Sequence, residues 1–192
     1  MLTLKENTAS KLAFIQAAGK LKDTLRSAHT EEGRQESTAE HTWRLCLWVI
    51  VFRDDFPEID FERVLSICIV HDLGEAISGD IPAIYQDPTV SKSADERRDF
   101  ETLLKPLPSE LQAQFLSLWD EYEAAETPEA KLVKGLDKLE TIMQHNQGAN
   151  PSDFDYGFNL TYGEKHTKTH PVLQTIREIL DKETSANAGR HR

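Results

Sequence analysis

Two histidines and two aspartates, set beside or at the ends of apolar runs, are the residues of this chain best suited to hold a divalent cation. The run Ile67-Cys68-Ile69-Val70 delivers His71-Asp72 side by side, and Glu75 and Asp80 follow four and nine residues after that histidine. Polar groups at the end of a buried element need a partner that offsets the cost of leaving water. A borderline or hard divalent cation is such a partner, since it takes imidazole and carboxylate together. His41 opens a second apolar run, and Asp137 lies between Leu136 and Leu139. If three helices pack together, His41, His71-Asp72 and Asp137 converge from separate elements, as ligands do in the cores of helical bundles. Two imidazoles and two carboxylates make a nitrogen–oxygen set without sulfur, suited to Mn, Fe, Co or Zn and leaving positions for water and substrate. Cys68, one helical turn before His71, is a weaker donor because no second cysteine stands at a metal-site spacing.

The elements that must position these groups read as helices. Leu12, Ile15, Ala18, Leu21 and Leu25 recur at three- and four-residue steps from Ala9 to Arg26, and the mixed, glycine-containing stretch from Ser27 to Glu36 reads as a connection. Ser37-Thr38-Ala39-Glu40 has the form of a capping box and starts a second helix, with His41 in its first turn and Leu45, Trp48, Val49 and Phe52 on its buried side. A third helix, from about Phe61 into His71-Asp72, is apolar around most of its circumference and belongs at the centre of a bundle; if it continues, Glu75 shares a face with His71. Tyr85-Gln86-Asp87-Pro88 reads as a turn, and Ser93-Ala94-Asp95-Glu96 as a capping box for a helix ending before Pro106. Leu111, Phe115, Leu118, Trp119 and Tyr122 form a further stripe, and Thr127-Pro128-Glu129 caps the helix that carries Asp137.

The segment from Gly148 to Gly163 reads as an ordered loop or short helix packed by Phe154, Tyr156, Phe158 and Tyr162. Val172, Ile176, Ile179 and Leu180 mark a last helix, followed by a disordered tail from 183 to 192. No segment alternates with the period of a sheet, so the expected fold is all-α, one helical-bundle domain over residues 1–182 with a divalent metal site in its core.

Composition narrows the partners. With 22 Lys and Arg against 33 Asp and Glu, the formal charge of −11 disfavours a nucleic-acid polymer but not a small phosphorylated molecule. The absence of a signal-peptide pattern and of a long apolar run predicts a soluble, cytosolic protein away from membranes, with Cys46 and Cys68 reduced. His166 and His170 precede Pro171 and lack an acidic third ligand, so they read as a surface pair; His29 and His145 read as polar packing or surface residues.

On these residues the chain resembles the HD-domain metal-dependent phosphohydrolases, whose pattern of a histidine, a His-Asp pair and a distant aspartate stands here as His41, His71-Asp72 and Asp137. Within them it is most similar to the 5′-deoxynucleotidase branch, through Ser37-x-x-Glu40-His41, His71-Asp72-x-x-Glu75 and Gly79-Asp80, over roughly residues 10 to 150. The resemblance implies that His41, His71, Asp72 and Asp137 bind one divalent metal (Mn, Co, Fe, Zn or Mg). It also implies that Glu75 and Asp80 handle the attacking water and the leaving group, that Arg26 contacts the phosphate, and that the protein is a homodimer. A tryptophan that follows this arginine in the branch, and helps exclude the ribose 2′-hydroxyl, is Ser27 here. The expected activity is metal-dependent release of phosphate from a small phosphomonoester, foremost a (deoxy)nucleoside 5′-monophosphate. The alternatives are another small phosphate ester, or a binding module that keeps the metal without turnover.

Overall fold

The computed structural model describes residues 3–82 and 92–190. The expected turn at Tyr85 to Pro88 lies outside them. Among the described residues the architecture is a helical bundle with one small hairpin. No helix there is long and apolar enough to cross a membrane.

Helix α1 spans Leu4–Ala18 and tightens into a 3-10 turn over Gly19–Lys22. It does not reach Arg26: strand β1, Leu25–His29, pairs antiparallel with β2, Gln35–Ser37, through an irregular register. The stripe expected of one long helix is split accordingly, with Phe14 and Leu21 buried and Leu12 and Ile15 exposed. The hairpin was hidden because its strands are short and polar, with Ala28 as the buried apolar residue of β1. Gly33 takes a positive φ of 81° at its tip, which a glycine adopts without strain.

Helix α2, Thr38–Val51, starts at the expected capping box: the Glu40 N–H donates to Ser37 Oγ and the Ser37 N–H to Glu40 Oε2. Helix α3, Phe61–Val70, stops before the His-Asp pair, with His71 as its C-cap. Glu75 therefore belongs to a separate turn, α4, Glu75–Ser78, and not to a continuation of α3. Gly74 is the joint, because a Cβ there would come within 2.8 Å of the Glu96 carbonyl. Helix α5 covers Lys92–Leu104, running one residue before the expected Ser93 cap, and α6 covers Ser109–Ala124.

Helix α7, Pro128–Gln147, begins with the Thr127 hydroxyl accepting from Ala130 N–H and Pro128 in the first turn. It, and not α3, is the central helix. Leu132, Val133, Leu136, Leu139 and Ile142 pack on α2, α3 and the last helix, while Asp137, Glu140, Thr141, Gln144 and His145 are buried on its other side. Ile69 of α3 is half exposed.

After α7 come a 3-10 turn, Tyr156–Leu160, the short α8, Glu164–Thr167, and α9, Pro171–Arg190. Residues 183–190, expected as disordered tail, continue α9, because Thr184 donates to Asn146 Oδ1 and Asn187 donates to the Asn146 carbonyl. A second apolar cluster, Phe100, Leu104 and Trp119 with Val70 and Leu73, supports the 71–78 stretch from the α5–α6 side.

Candidate metal centre and its cavity

The centre is assembled by α2, the end of α3 and α7. His41 Nε2 lies 3.3 Å from Asp137 Oδ1 and 3.7 Å from Asp72 Oδ2, and His71 Nε2 lies 3.0 Å from Asp72 Oδ2. His41, His71 and Asp137 are buried and present ligand atoms within 4.8 Å of one another. The four residues expected to converge do so.

The far sides of His41, His71 and Asp137 are each fixed by a partner. His71 Nδ1 lies 2.7 Å from the Cys68 carbonyl, to which it donates, so Nε2 is the ring nitrogen that faces the cluster. Glu140, fully buried, takes His41 Nδ1 and also accepts from Arg44 Nε at 2.7 Å. Asp137 Oδ2 accepts from Tyr122 Oη at 2.7 Å and Lys138 Nζ at 2.8 Å, which leaves Oδ1 for His41 Nε2.

The donor set fits a divalent cation. The Nε2 atoms of His41 and His71 are buried without a hydrogen-bond partner, an arrangement that native interiors avoid. Burial and Arg26 oppose charge on His41, yet Glu140 and Asp137 raise it to a pKa of about 10. Burial likewise opposes the charge of Asp72 and Asp137, and each still falls below the usual carboxylate range, Asp72 through His71 and Asp137 chiefly through Lys138. These acids draw a positive charge into their midst, and a cation there would take the place of the proton on His41. Cys68 is no donor to the cluster: its side chain sits in the apolar core, where burial pushes the thiol well above its ordinary range.

A cavity of about 760 Å³ opens onto the ligands and is lined also by Arg26, Ser27, Glu75 and Asp80. Arg26 reaches it from β1, where Nη1 lies 3.6 Å from Asp72 Oδ2 and Nη2 donates to Thr141 Oγ1 at 3.1 Å. Glu75 is 5% exposed and accepts from Thr38 Oγ1 at 2.9 Å. Asp80 is half-buried on the rim, just after Gly79, whose φ of 86° turns the chain. His29, His145 and His166 also line the cavity, whereas the His170 ring lies tilted at 45° against Phe56, with centroids 4.6 Å apart.

Sequence reasoning missed Glu36, Thr38, Arg44, Tyr122, Glu140 and Thr141. Glu36 and Glu140, with His41, form a second buried group of possible donor atoms, but His41 offers its Nδ1 side to Glu140 and its Nε2 side to the first group. Burial and Glu140 hold the Glu36 carboxyl up at about 7. The signal for Glu140 was present in its spacing, three residues after Asp137 and so on the same helical face.

The profile of the HD domain family matches residues 18–177. A Danio rerio protein, 5′-deoxynucleotidase HDDC2, is 32% identical over 90% of this chain and 86% of its own length. The Schizosaccharomyces pombe 5′-deoxynucleotidase hdd1 is 37% identical over 72% of this chain and 73% of its own. A crystal structure of a predicted metal-dependent phosphohydrolase from Magnetospirillum magnetotacticum MS-1 superposes with a TM-score of 0.74 over 97% of each chain at 23% identity, a likeness of fold. The match over most of the length, joined to the convergence of His41, His71-Asp72 and Asp137, identifies the chain as a member of the HD domain family.

Proposed function

We propose that this protein is a divalent-metal-dependent phosphohydrolase that releases phosphate from a (deoxy)nucleoside 5′-monophosphate. His41, His71, Asp72 and Asp137 hold the metal, Arg26 holds the phosphate, and Glu75 and Asp80 carry the protons. The observation that carries the reading is the pair of buried, unpartnered imidazole nitrogens facing two carboxylates at one end of a cavity that also contains Arg26. The kinship with proteins named 5′-deoxynucleotidases supports the substrate class.

A divalent ion in such a set supplies positive charge to phosphoryl oxygens and makes water more acidic. The chain's own groups do the rest. Burial and the loss of water oppose charge on Arg26, yet Asp72 and Asp80 hold it charged throughout the ordinary pH range, and its planar fork can take two phosphate oxygens. In the reaction the bond between phosphorus and the ester oxygen breaks as a bond from water to phosphorus forms. One proton leaves the water and one reaches the departing oxygen, and Glu75 and Asp80 handle these two transfers. Thr38 fixes the Glu75 carboxylate for its part. The free cysteines Cys46 and Cys68 fit a cytosolic setting.

The test is phosphate release from a panel of ribo- and deoxyribonucleoside monophosphates and sugar phosphates. Metal-stripped protein is refilled with Mn, Co, Fe, Zn or Mg. Release is expected only with metal, to fall at least about 100-fold in Glu75→Gln with metal affinity retained, and to vanish with metal binding in Asp72→Ala. One equivalent of metal bound without phosphate release from any ester would sink the enzyme and leave a metal-containing binding module.

A further inference from the structure

The cavity has a second wall that the phosphate chemistry does not use. Phe154, Phe158 and Tyr162 line it from the segment after α7, and each is half-buried. The Phe158 and Tyr162 rings lie 5.3 Å apart at 31°, and Lys138 Nζ sits 5.3 Å from the Tyr162 centroid. Because the same Nζ donates to Asp137 Oδ2 at 2.8 Å, a chain of contacts runs from the metal ligands through Lys138 and Tyr162 to Phe158. The wall stands at a set place relative to the reacting end. Phe154 is braced edge-on by His145 and Tyr156, with centroids 4.9 Å away in each case.

The backbone beneath these rings is anchored firmly. Buried Arg177 donates to the carbonyls of Asn159, Leu160 and Tyr162 at 2.7 to 2.8 Å. A segment held this tightly could have turned its aromatic rings into the core, yet it leaves them partly uncovered at the cavity. Uncovered π faces on a rigid base favour a flat ligand of modest polarity. A nucleobase is that ligand, and stacking on an aromatic ring accepts any base, since every base has a π face.

Resting on the phosphohydrolase reading above, we infer that Phe158, supported by Tyr162 and flanked by Phe154, is the nucleobase platform. It makes nucleoside monophosphates, and not phosphate esters without a base, the preferred substrates. Phe158 is a specificity residue that touches the substrate away from the reacting atoms. Its removal alters which esters bind, while the chemical step stays as it was.

The experiment compares Phe158→Leu and Phe158→Trp with the parent protein, since both replacements stay apolar and Trp keeps a π face. Steady-state constants are measured for deoxyadenosine 5′-monophosphate and for deoxyribose 5-phosphate, which has the same ester without a base. Binding of deoxyadenosine alone is measured by calorimetry, which needs no turnover. Phe158→Leu is expected to raise KM for the nucleotide about 10-fold and weaken nucleoside binding equally, with kcat and the sugar phosphate within about twofold; Phe158→Trp restores both. Equal losses on both esters, or unchanged nucleoside binding in Phe158→Leu, would overturn the platform. Inactivity of the parent protein on every ester would count against the phosphohydrolase reading instead, and the calorimetric arm would still decide the platform.

Discussion

The two ends of the cavity are built in opposite ways. At the ligand end the side chains are fixed: Glu140 joins His41 to Arg44, Asp137 takes Tyr122 and Lys138, and the Cys68 carbonyl holds His71. At the aromatic end the backbone is fixed and the rings are only half-buried against the cavity. Arg177 gathers three carbonyls, and Asn150 donates to the His145 carbonyl at 2.7 Å. Coordination and proton transfer need particular atoms within tenths of an ångström, and His41, His71 and Asp137 each have a partner on the far side. Stacking needs only a surface in the right place. Damage to the first end should be felt by every substrate, and damage to the second by some of them.

The strongest way to break this contrast is Glu140→Ala. It frees His41 Nδ1 and leaves Arg44, whose side chain is 18% exposed, without its carboxylate. Loss of such an outer partner lowers metal affinity about 10- to 100-fold, and an unpaired, largely buried guanidinium costs about 3 kcal/mol of stability. Chelator competition reads the affinity, and urea denaturation of the metal-free protein reads the stability. A variant that binds metal within threefold of the parent would mean that His41 is held without Glu140.

The unequal construction also explains what could be read from the sequence. His41, His71-Asp72 and Asp137 were legible because each polar group interrupts or begins an apolar run. Glu140, Thr141 and Gln144 share the helical face of Asp137, but on a helix with this many polar positions a buried carboxylate looks like a solvated one. The same polarity hid α7 as the central helix and made apolar α3 look like the centre. Arg26 was singled out by the resemblance alone, and its setting differed: a weak three- and four-residue period extended α1 over a strand whose pairing depends on β2, ten residues on. The end of α3 at Val70 depended on contacts no local pattern carries, since Gly74 abuts the Glu96 carbonyl of α5. The tail failed similarly, as α9 is prolonged by Asn146 of α7. The aromatics from 154 to 162 were read as packing, which they do, but Phe154, Phe158 and Tyr162 also line the cavity.

A change of pH should strain the aromatic end before the ligand end is unfolded. His145 is 7% exposed, and its Nδ1 lies 3.0 Å from Asn159 Oδ1. Burial lowers its pKa to about 4 from an ordinary 6.5, with Arg26 adding to the effect and Asn159 opposing it. The folded value lies below the unfolded one, so the unfolded chain takes up the proton first as pH falls. The stabilisation is complete above pH 6.5 and is lost between 6.5 and 4, amounting to about 3 kcal/mol at the lower end. Urea denaturation of the parent protein and of His145→Gln at intervals across this range should give a difference that shrinks with falling pH. A constant difference would show that His145 does not resist protonation in the folded state.

The smallest expected effect lies where the two ends meet. Gly163 has a φ of 66°, and a Cβ there would fall 2.6 Å from both Cβ and Cγ of Lys138. Gly163→Ala therefore combines a left-handed backbone with a clash against the stem of the lysine that joins Asp137 to Tyr162, for about 1–2 kcal/mol of lost stability. Lys138 must give way, and in doing so it disturbs one end through Asp137 Oδ2 and the other through the Tyr162 ring. If the ends are as differently built as their contacts indicate, the disturbance divides unequally. Tyr122 still donates to Asp137 Oδ2, so metal affinity should change less than threefold, whereas the Phe158 platform loses the cation that backs Tyr162 and KM for nucleotides should rise severalfold. A larger loss of metal affinity than of nucleotide binding would reverse the assignment, making Lys138 chiefly a support of the metal ligands.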